Sequence, residues 1–289
     1  MNRAALVVVR PGPLSTVQDL GRPGLAHLAV PRSGAADPDS LRLANRLVGN
    51  PEDAAGVETT LLGADLRLTA GRWVAVTGAP AAVRVDGRPA GLDRPQWVPA
   101  GATLTVGPAE RGVRGYLAVA GGIDVPPVLG SRSTDLLSGI GPAPLAAGQR
   151  LPVGPVRAMP APVDVAPRPA IPDPLRLRLY RGPRDDWFGD RALRAMSGAD
   201  YRVTAESNRI GVRLAGPAVP GTRTGQLPSE GMARGSVQIP PGGQPLVFLA
   251  DAPTTGGYPV VGAVHPDDMW LVAQARPGYR VRFRWITRA

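Results

Sequence analysis

Along most of the chain, apolar and polar residues alternate in short runs that glycine or proline breaks after a few positions. The first half has "LVVV" near Leu6, "DLRLT" over 65–69, "WVAVTG" from Trp73, "AVRVDG" from Ala82, "TLTVG" from Thr103 and "GYLAVAGG" from Gly115. Period-two alternation is the mark of a strand with one buried face, and many such runs parted by turn residues predict a barrel or a sandwich. One helix interrupts them. In "ADPDSLRLANRLVGN", Asp37 stands as N-cap with Pro38 in the first helical position. Leu41, Ala44, Leu47 and Val48 share a face, and Gly49 is the stop.

The second half repeats the pattern. "LRLRLYRG" sets Leu175, Leu177 and Leu179 against Arg176, Arg178 and Tyr180, and further strands are predicted over 201–205, 210–215, 235–239, 246–250 and 260–264. Helices are expected over 186–196 and 267–274. The closing "YRVRFRWI" turns Val281, Phe283 and Trp285 one way and Arg280, Arg282 and Arg284 the other, which reads as the solvated face of an edge strand. Between Pro155 and Pro174 lie seven prolines in twenty residues, a composition that favours extended chain over helix or central strand. The predicted organisation is therefore a β domain over 1–154, a proline-rich linker over 155–174 and a second β domain over 175–289.

Composition narrows the function. The chain has 289 residues with 43% hydrophobic content, enough to bury a sizeable core. No stretch reaches the roughly 18 to 20 apolar residues that span a bilayer. The start, "MNRAALVVVRPG", is too quickly broken for a signal peptide, so a cytoplasmic location without membrane attachment is expected. A net charge of +10 raises the question of nucleic acid, yet all 33 basic residues are arginine and they are scattered over every segment, so no nucleic-acid partner is expected. Without lysine there is no P-loop and no Schiff base. Without cysteine there is no thiolate chemistry, and no metal site is predicted. The two imidazoles are His27 and His265; the second, ahead of Pro266, reads as a helix cap, and His27 is the better catalytic candidate of the pair.

Four polar, glycine-rich stretches break the apolar pattern, and such loops on a rigid scaffold are where sites are built. The first holds Gln18, Asp19 and Arg22 ahead of the Ser33-Gly34 turn. The second, "GGIDVPPVLGSRSTD", offers Arg132, Ser133 and Thr134 as donors to a carboxylate or phosphate. The third, "LPSEGMARGSVQIPPGGQP", carries Glu230 and Gln238. The fourth, "LADAPTTGGYP", follows a strand with Asp251, Thr254, Thr255 and Tyr258, and its paired glycines let backbone approach a ligand closely. Each stretch also reads as a hydrogen-bonded corner.

Taken together, "TVQDLGRPG", "SGAADPDSLRLANRLVGN", "GGIDVPPVLGSRST", "SEGMARGSVQIPPGGQPLVFLAD" and "TTGGYP" resemble the family of the 5-oxoprolinase C subunit, also described as KipA-like or biotin-dependent carboxyltransferase. The likeness runs from about residue 15 to 283, and the family is similar to half of the carboxyltransferase region of urea carboxylase. It implies a mainly β protein of two barrel-like halves with a few short helices, one half a cyclophilin-like barrel. It implies a component working with a KipI-like B component and a LamB/YcsF-type A component in the ATP-dependent opening of 5-oxoproline to glutamate. ATP would be shared with a partner, and biotin is not expected on this chain. Glu230 and Asp251 are the expected catalytic acids. Arg132, Ser133, Arg209, Gln238, Thr254, Thr255 and Tyr258 are the expected contacts to a small lactam or amide. Two other roles fit the resemblance: a KipA-like antagonist of a kinase inhibitor, and a carboxyltransferase component acting on an amide or urea. The run "ESNRIGVRL" departs from the family's commoner Ser-Asp-Arg-Met-Gly, and "VETTLLGADL" has bulky leucines where glycines are frequent.

Overall fold

The computed structural model describes residues 4–223, 225 and 227–287, and they are mainly β with three short α-helices. The described residues form two compact units. Met1–Arg22, Ser33–Asp135 and Gly139–Ala170 make the N-terminal unit; Pro23–Arg32, Leu136–Ser138 and Ile171–Ala289 make the C-terminal one.

The N-terminal unit carries β1 (Ala5–Arg10), β2 (Ser15–Gln18), α1 (Pro38–Leu47), β3 (Gly56–Thr60), β4 (Ala64–Leu68), β5 (Arg72–Gly78), β6 (Ala81–Val85), β7 (Arg88–Ala90), β8 (Pro95–Val98), β9 (Thr103–Ala109), β10 (Arg114–Val119) and β11 (Arg150–Pro152). Six of these form a sheet in the order β11-β1-β4-β9-β6-β7, and five form another, β2-β3-β10-β5-β8. Alternation decides what faces inward: Leu6, Leu66 and Leu104 of the first sheet join Val57, Val76 and Leu117 of the second in one buried cluster. α1 lies on the other face of β5 and β10. Its start is fixed as the sequence predicted, with Asp37 accepting from the Ser40 amide (3.2 Å) and the Ser40 hydroxyl (2.6 Å). Ala44 and Leu47 pack on Ala75, Ala118 and Ala120, small residues that let the helix come close to the sheet.

The proline-rich stretch is anchored up to Ala170 on this unit. The Ala161 amide donates to the Leu47 carbonyl (3.0 Å), the Ala166 amide to the Asp93 carbonyl (2.7 Å), and Arg168 sits 2.8 Å from the Asp93 carboxylate. Residues from Ile171 onward belong to the C-terminal unit.

That unit is built on β12 (Leu175–Arg181), α2 (Asp190–Gly198), β13 (Tyr201–Val203), β14 (Gly211–Ala215), β15 (Glu230–Gly231), β16 (Ser236–Gln238), β17 (Leu246–Phe248), β18 (Thr255–Gly256), β19 (Val260–Val264), α3 (Met269–Ala273) and β20 (Arg280–Ile286). Seven strands close into a barrel, β12-β19-β16-β17-β14-β13-β20, sealed by parallel pairing of β20 with β12. Leu175, Leu177, Leu179, Val281 and Phe283 are buried, as the alternation requires. β15 and β18 form a separate two-stranded ladder.

Two expectations change. The arginine-bearing β20 is not an edge: it is bonded on one side to β12 and on the other to β13. Closure of the barrel, which no local pattern announces, removes the edge. The helix expected over 186–196 is a 3₁₀ turn, Asp185–Trp187, followed by α2 from Asp190, because the chain is extended at Phe188 and Gly189 between them. His265 caps the turn Pro266–Asp268 that leads into α3, its Nδ1 accepting from the Asp267 amide at 3.2 Å.

Candidate functional site

In the N-terminal unit the "TVQDLG" and "GSRST" stretches meet at Asp19. Its carboxylate accepts from the Ser131 hydroxyl (2.6 Å), the Ser133 hydroxyl (2.5 Å), the Arg132 amide (2.6 Å) and the Gly21 amide (2.7 Å). A buried carboxylate needs this many donors to offset its lost hydration. Arg22, also buried, donates to the Ser133 carbonyl (2.6 Å) and the Ser33 hydroxyl (3.2 Å). Arg132 points its guanidinium at the Val125 carbonyl (2.7 Å) and the Asp124 carboxylate (3.0 Å). Ser133 and Arg132, expected as ligand donors, are thus engaged in ordering this corner.

A second buried acid defines the corner after β17. Asp251 is fully buried and receives two parallel bonds from Arg209, Nε to Oδ2 at 2.9 Å and a terminal nitrogen to Oδ1 at 3.0 Å. The Leu136 amide adds a third at 3.2 Å. Arg209 is itself 1% exposed, so the fork satisfies a buried cation and a buried anion together. The two residues that sequence placed in catalysis and substrate binding hold each other.

Of the remaining predicted residues, Tyr258 lines a cavity of about 770 Å³ in the C-terminal unit, and Gln238 and Thr255 stand one or two positions from its lining residues Ile239 and Gly257. Trp187, Phe188, Leu227, Ile239 and Tyr258 form apolar wall, and Arg223 supplies a cation. The β15–β18 ladder flanks it: Glu230 pairs with Gly256, next to the lining residue Gly257, and Gly231 pairs with Thr255. The Met232 amide donates to the Thr254 carbonyl at 2.9 Å. Gln238 is buried beside Ile239, and its amide donates to the Tyr258 carbonyl at 3.0 Å, fixing the tyrosine's backbone while its ring stays half exposed. A Cβ on Gly256 would come within 3.0 Å of that Gln238 amide, so the glycine permits the approach.

Glu230 is held by Arg184, whose Nε lies 2.8 and 3.1 Å from the two carboxylate oxygens. This bond from Arg184 is the main cause that keeps the Glu230 carboxyl below the usual carboxylate range, so it is an anion at neutral pH. The cavity itself therefore offers an aromatic wall and Arg223, which is paired with Asp186 at 2.8 Å, while the Glu230–Arg184 pair and the buried Gln238 amide belong to the neighbouring strands. Arg184, Trp187, Phe188 and Arg223 were not singled out from sequence. The signal for the first three was "RGPRDDWFGD", where an aromatic pair and two arginines sit in a turn that has no need of them. His27 lies exposed in a 3₁₀ turn, Ala26–Leu28.

Among the described residues no helix is long and apolar enough to cross a membrane. The profile of the family described as carboxyltransferase domain, subdomain A and B, matches residues 28–285, and the chain belongs to that family. It is 38% identical, over 96% of its length and 90% of the relative's, to the 5-oxoprolinase C subunit of Escherichia coli. Its fold superposes with a TM-score of 0.90 on the crystal structure of TTHA0988, at 42% identity over 98% of this chain and 56% of that one. The crystal structure of the Kluyveromyces lactis urea carboxylase matches at 30% identity with a TM-score of 0.88, over 98% of this chain and 27% of that one. The chain thus spans about half, or less, of the solved chains it resembles.

Proposed function

We propose that this protein is one component of an ATP-dependent 5-oxoprolinase, opening 5-oxoproline to glutamate with a KipI-like B component and a LamB/YcsF-type A component. The observation that carries the reading is the 38% identity, almost end to end, with a protein named as the C subunit of 5-oxoprolinase. The composition of the cavity agrees with it: a small lactam needs an apolar wall for its ring and polar groups for its amide and carboxylate.

The chemistry proposed is activation followed by hydrolysis. The lactam oxygen attacks the γ-phosphorus of ATP, the bond to the ADP oxygen breaks, and the ring becomes a phosphorylated imidate. Water then adds at the activated carbon and the C–N bond opens to an acyl phosphate, which a second water hydrolyses to glutamate and phosphate; we assign both hydrolytic steps to the LamB/YcsF-type component. Within this chain, Glu230 pairs with Gly256, the neighbour of the lining residue Gly257, and we assign it the lactam N–H. We assign Arg184 the substrate carboxylate or phosphate charge once Glu230 turns to the ligand. Gln238, Thr254, Thr255 and Tyr258 shape the flank. Arg209 and Asp251 act on it by fixing the strand end, and Arg132 and Ser133 order a corner of the N-terminal unit. The chain has no lysine, so whatever it contributes to ATP comes through arginines such as Arg184 and Arg223.

Coexpression with the KipI-like and LamB/YcsF-type components tests this. ATP-dependent glutamate release from 5-oxoproline is expected from the three together, and none from any pair. A second reading, carboxyl transfer to an amide with biotin supplied elsewhere, is favoured by the likeness to urea carboxylase. Incorporation of labelled bicarbonate in place of glutamate release would select it.

A further inference from the structure

The barrel face opposite the apolar interior carries a charge pattern that the cavity does not use. The parallel register of β12 and β20 puts Arg176 beside Arg282 and Arg178 beside Arg284, and the antiparallel register of β13 puts Arg202 beside Arg280. Like charges side by side on neighbouring strands repel, so a fold keeps them only where something compensates. Acids cover part of the face. Asp268 receives Arg178 through contacts of 2.7 and 3.0 Å, Asp200 receives Arg282 at 2.9 Å, and Asp173 lies 3.4 Å from Arg280. Arg176 and Arg284 are exposed, and among the described residues neither has an acid within 4.0 Å.

These two stand diagonally across the strand pair, with roots about 7–8 Å apart, within reach of one another's long side chains. Together with Arg178 and Arg282 they line a groove of about 800 Å³, bounded by Ser197 at the end of α2 and by Trp285. It shares no lining residue with the cavity described above. Each of the two facing pairs in the groove thus consists of one neutralised arginine and one that is not, and the groove's surplus charge is carried by two forked donors on adjacent strands.

We propose that this groove binds an oligophosphate, either free or as the phosphate chain of a nucleotide. Guanidinium forks match phosphate oxygens with paired hydrogen bonds, and two forks rooted about 7–8 Å apart meet charges spaced a few ångströms apart along one chain. An amino acid is a poorer fit, because its ammonium would face four arginines. The inference rests on the barrel face alone and stands whether or not the 5-oxoprolinase reading does.

The test is calorimetric titration of the full chain at about 0.15 M salt, where loose attraction between distant charges is screened. The titrants are tripolyphosphate, ATP, adenosine and glutarate. Saturable binding of tripolyphosphate and ATP is expected, with none of adenosine. Equal affinity for the two would assign the site to the phosphates alone, and tighter ATP to a nucleotide; both uphold it. The double variant Arg176→Gln/Arg284→Gln should bind at least about tenfold more weakly. A charge-matched control on the N-terminal unit, Arg67→Gln/Arg88→Gln, should change affinity less than about twofold. Glutarate binding as tightly as tripolyphosphate, or equal losses in the two double variants, would overturn the proposal. Thermal unfolding supplies a second readout: relieving like-charge pairs should leave the Arg176→Gln/Arg284→Gln chain melting at or above the parent temperature. A lower melting temperature would mark these arginines as held by structural partners and would equally overturn it.

Discussion

At Asp251 and Arg209 the decisive quantity is burial. Neither side chain has water to fall back on, so removing one leaves the other charged and unpaired. Asp251→Ala is expected to destabilise the chain by about 3–5 kcal/mol, while Arg209→Met/Asp251→Leu should recover much of that loss. Denaturant unfolding monitored on both variants checks the pair; equal losses in the two would refute it. Tyr116 makes a parallel case in the N-terminal unit. Its hydroxyl donates to Glu58 (2.8 Å) and accepts from the Asp37 amide (2.8 Å). Burial first, then the neighbouring Glu58 and Asp37 charges, push the phenol well above its ordinary pKa. Tyr116→Phe strands the buried Asp37 amide and takes one donor from Glu58, which keeps the Ala36 amide at 3.0 Å, and should cost about 1–3 kcal/mol in the same experiment. Sequence marked Asp251 as a strand-end acid correctly, but its partner lies 42 positions away. Only the meeting of β14 and β17 turns an apparent base into a tie.

At the scale of elements, the Arg184–Glu230 bond joins the turn after β12 to the β15–β18 ladder. The folded Glu230 carboxyl is depressed, so the bond adds stability above the unfolded glutamate pKa and loses it as pH falls through the folded value. The difference in melting temperature between the parent chain and Arg184→Gln is therefore expected to be widest near neutrality and to narrow as pH falls below about 4.3. A constant difference over that range would contradict the assignment. Elements with strong local signals were legible in advance: α1 through its cap and periodic face, β12 and β20 through leucine and arginine alternation, β19 over 260–264. β2, β3, β8 and β11 were not. Their residues "STVQ", "GVETT", "PQWV" and "RLP" lack alternation, and pairing with neighbours distant in sequence supplies the order instead.

For the whole molecule, membership of the carboxyltransferase-domain family and the mainly β architecture were readable from five motifs in order, whereas the grouping of the site was not. Sequence offered seven candidate contacts and two acids as equals; the structure separates them by what each is already bonded to. Asp251 and Arg209 are locked in a fully buried pair and Arg132 and Ser133 in a corner of the N-terminal unit, while Glu230, paired with the part-exposed Arg184, and Gln238 stand on strands next to a cavity that Tyr258 lines. The most direct test of that separation is ATP-dependent glutamate release by the complex proposed above, of this chain with KipI-like and LamB/YcsF-type components, comparing the parent chain with Glu230→Gln. The account predicts a fall in kcat of at least about a hundredfold with the complex still assembled on a sizing column. Undiminished turnover in the Glu230→Gln complex would contradict it.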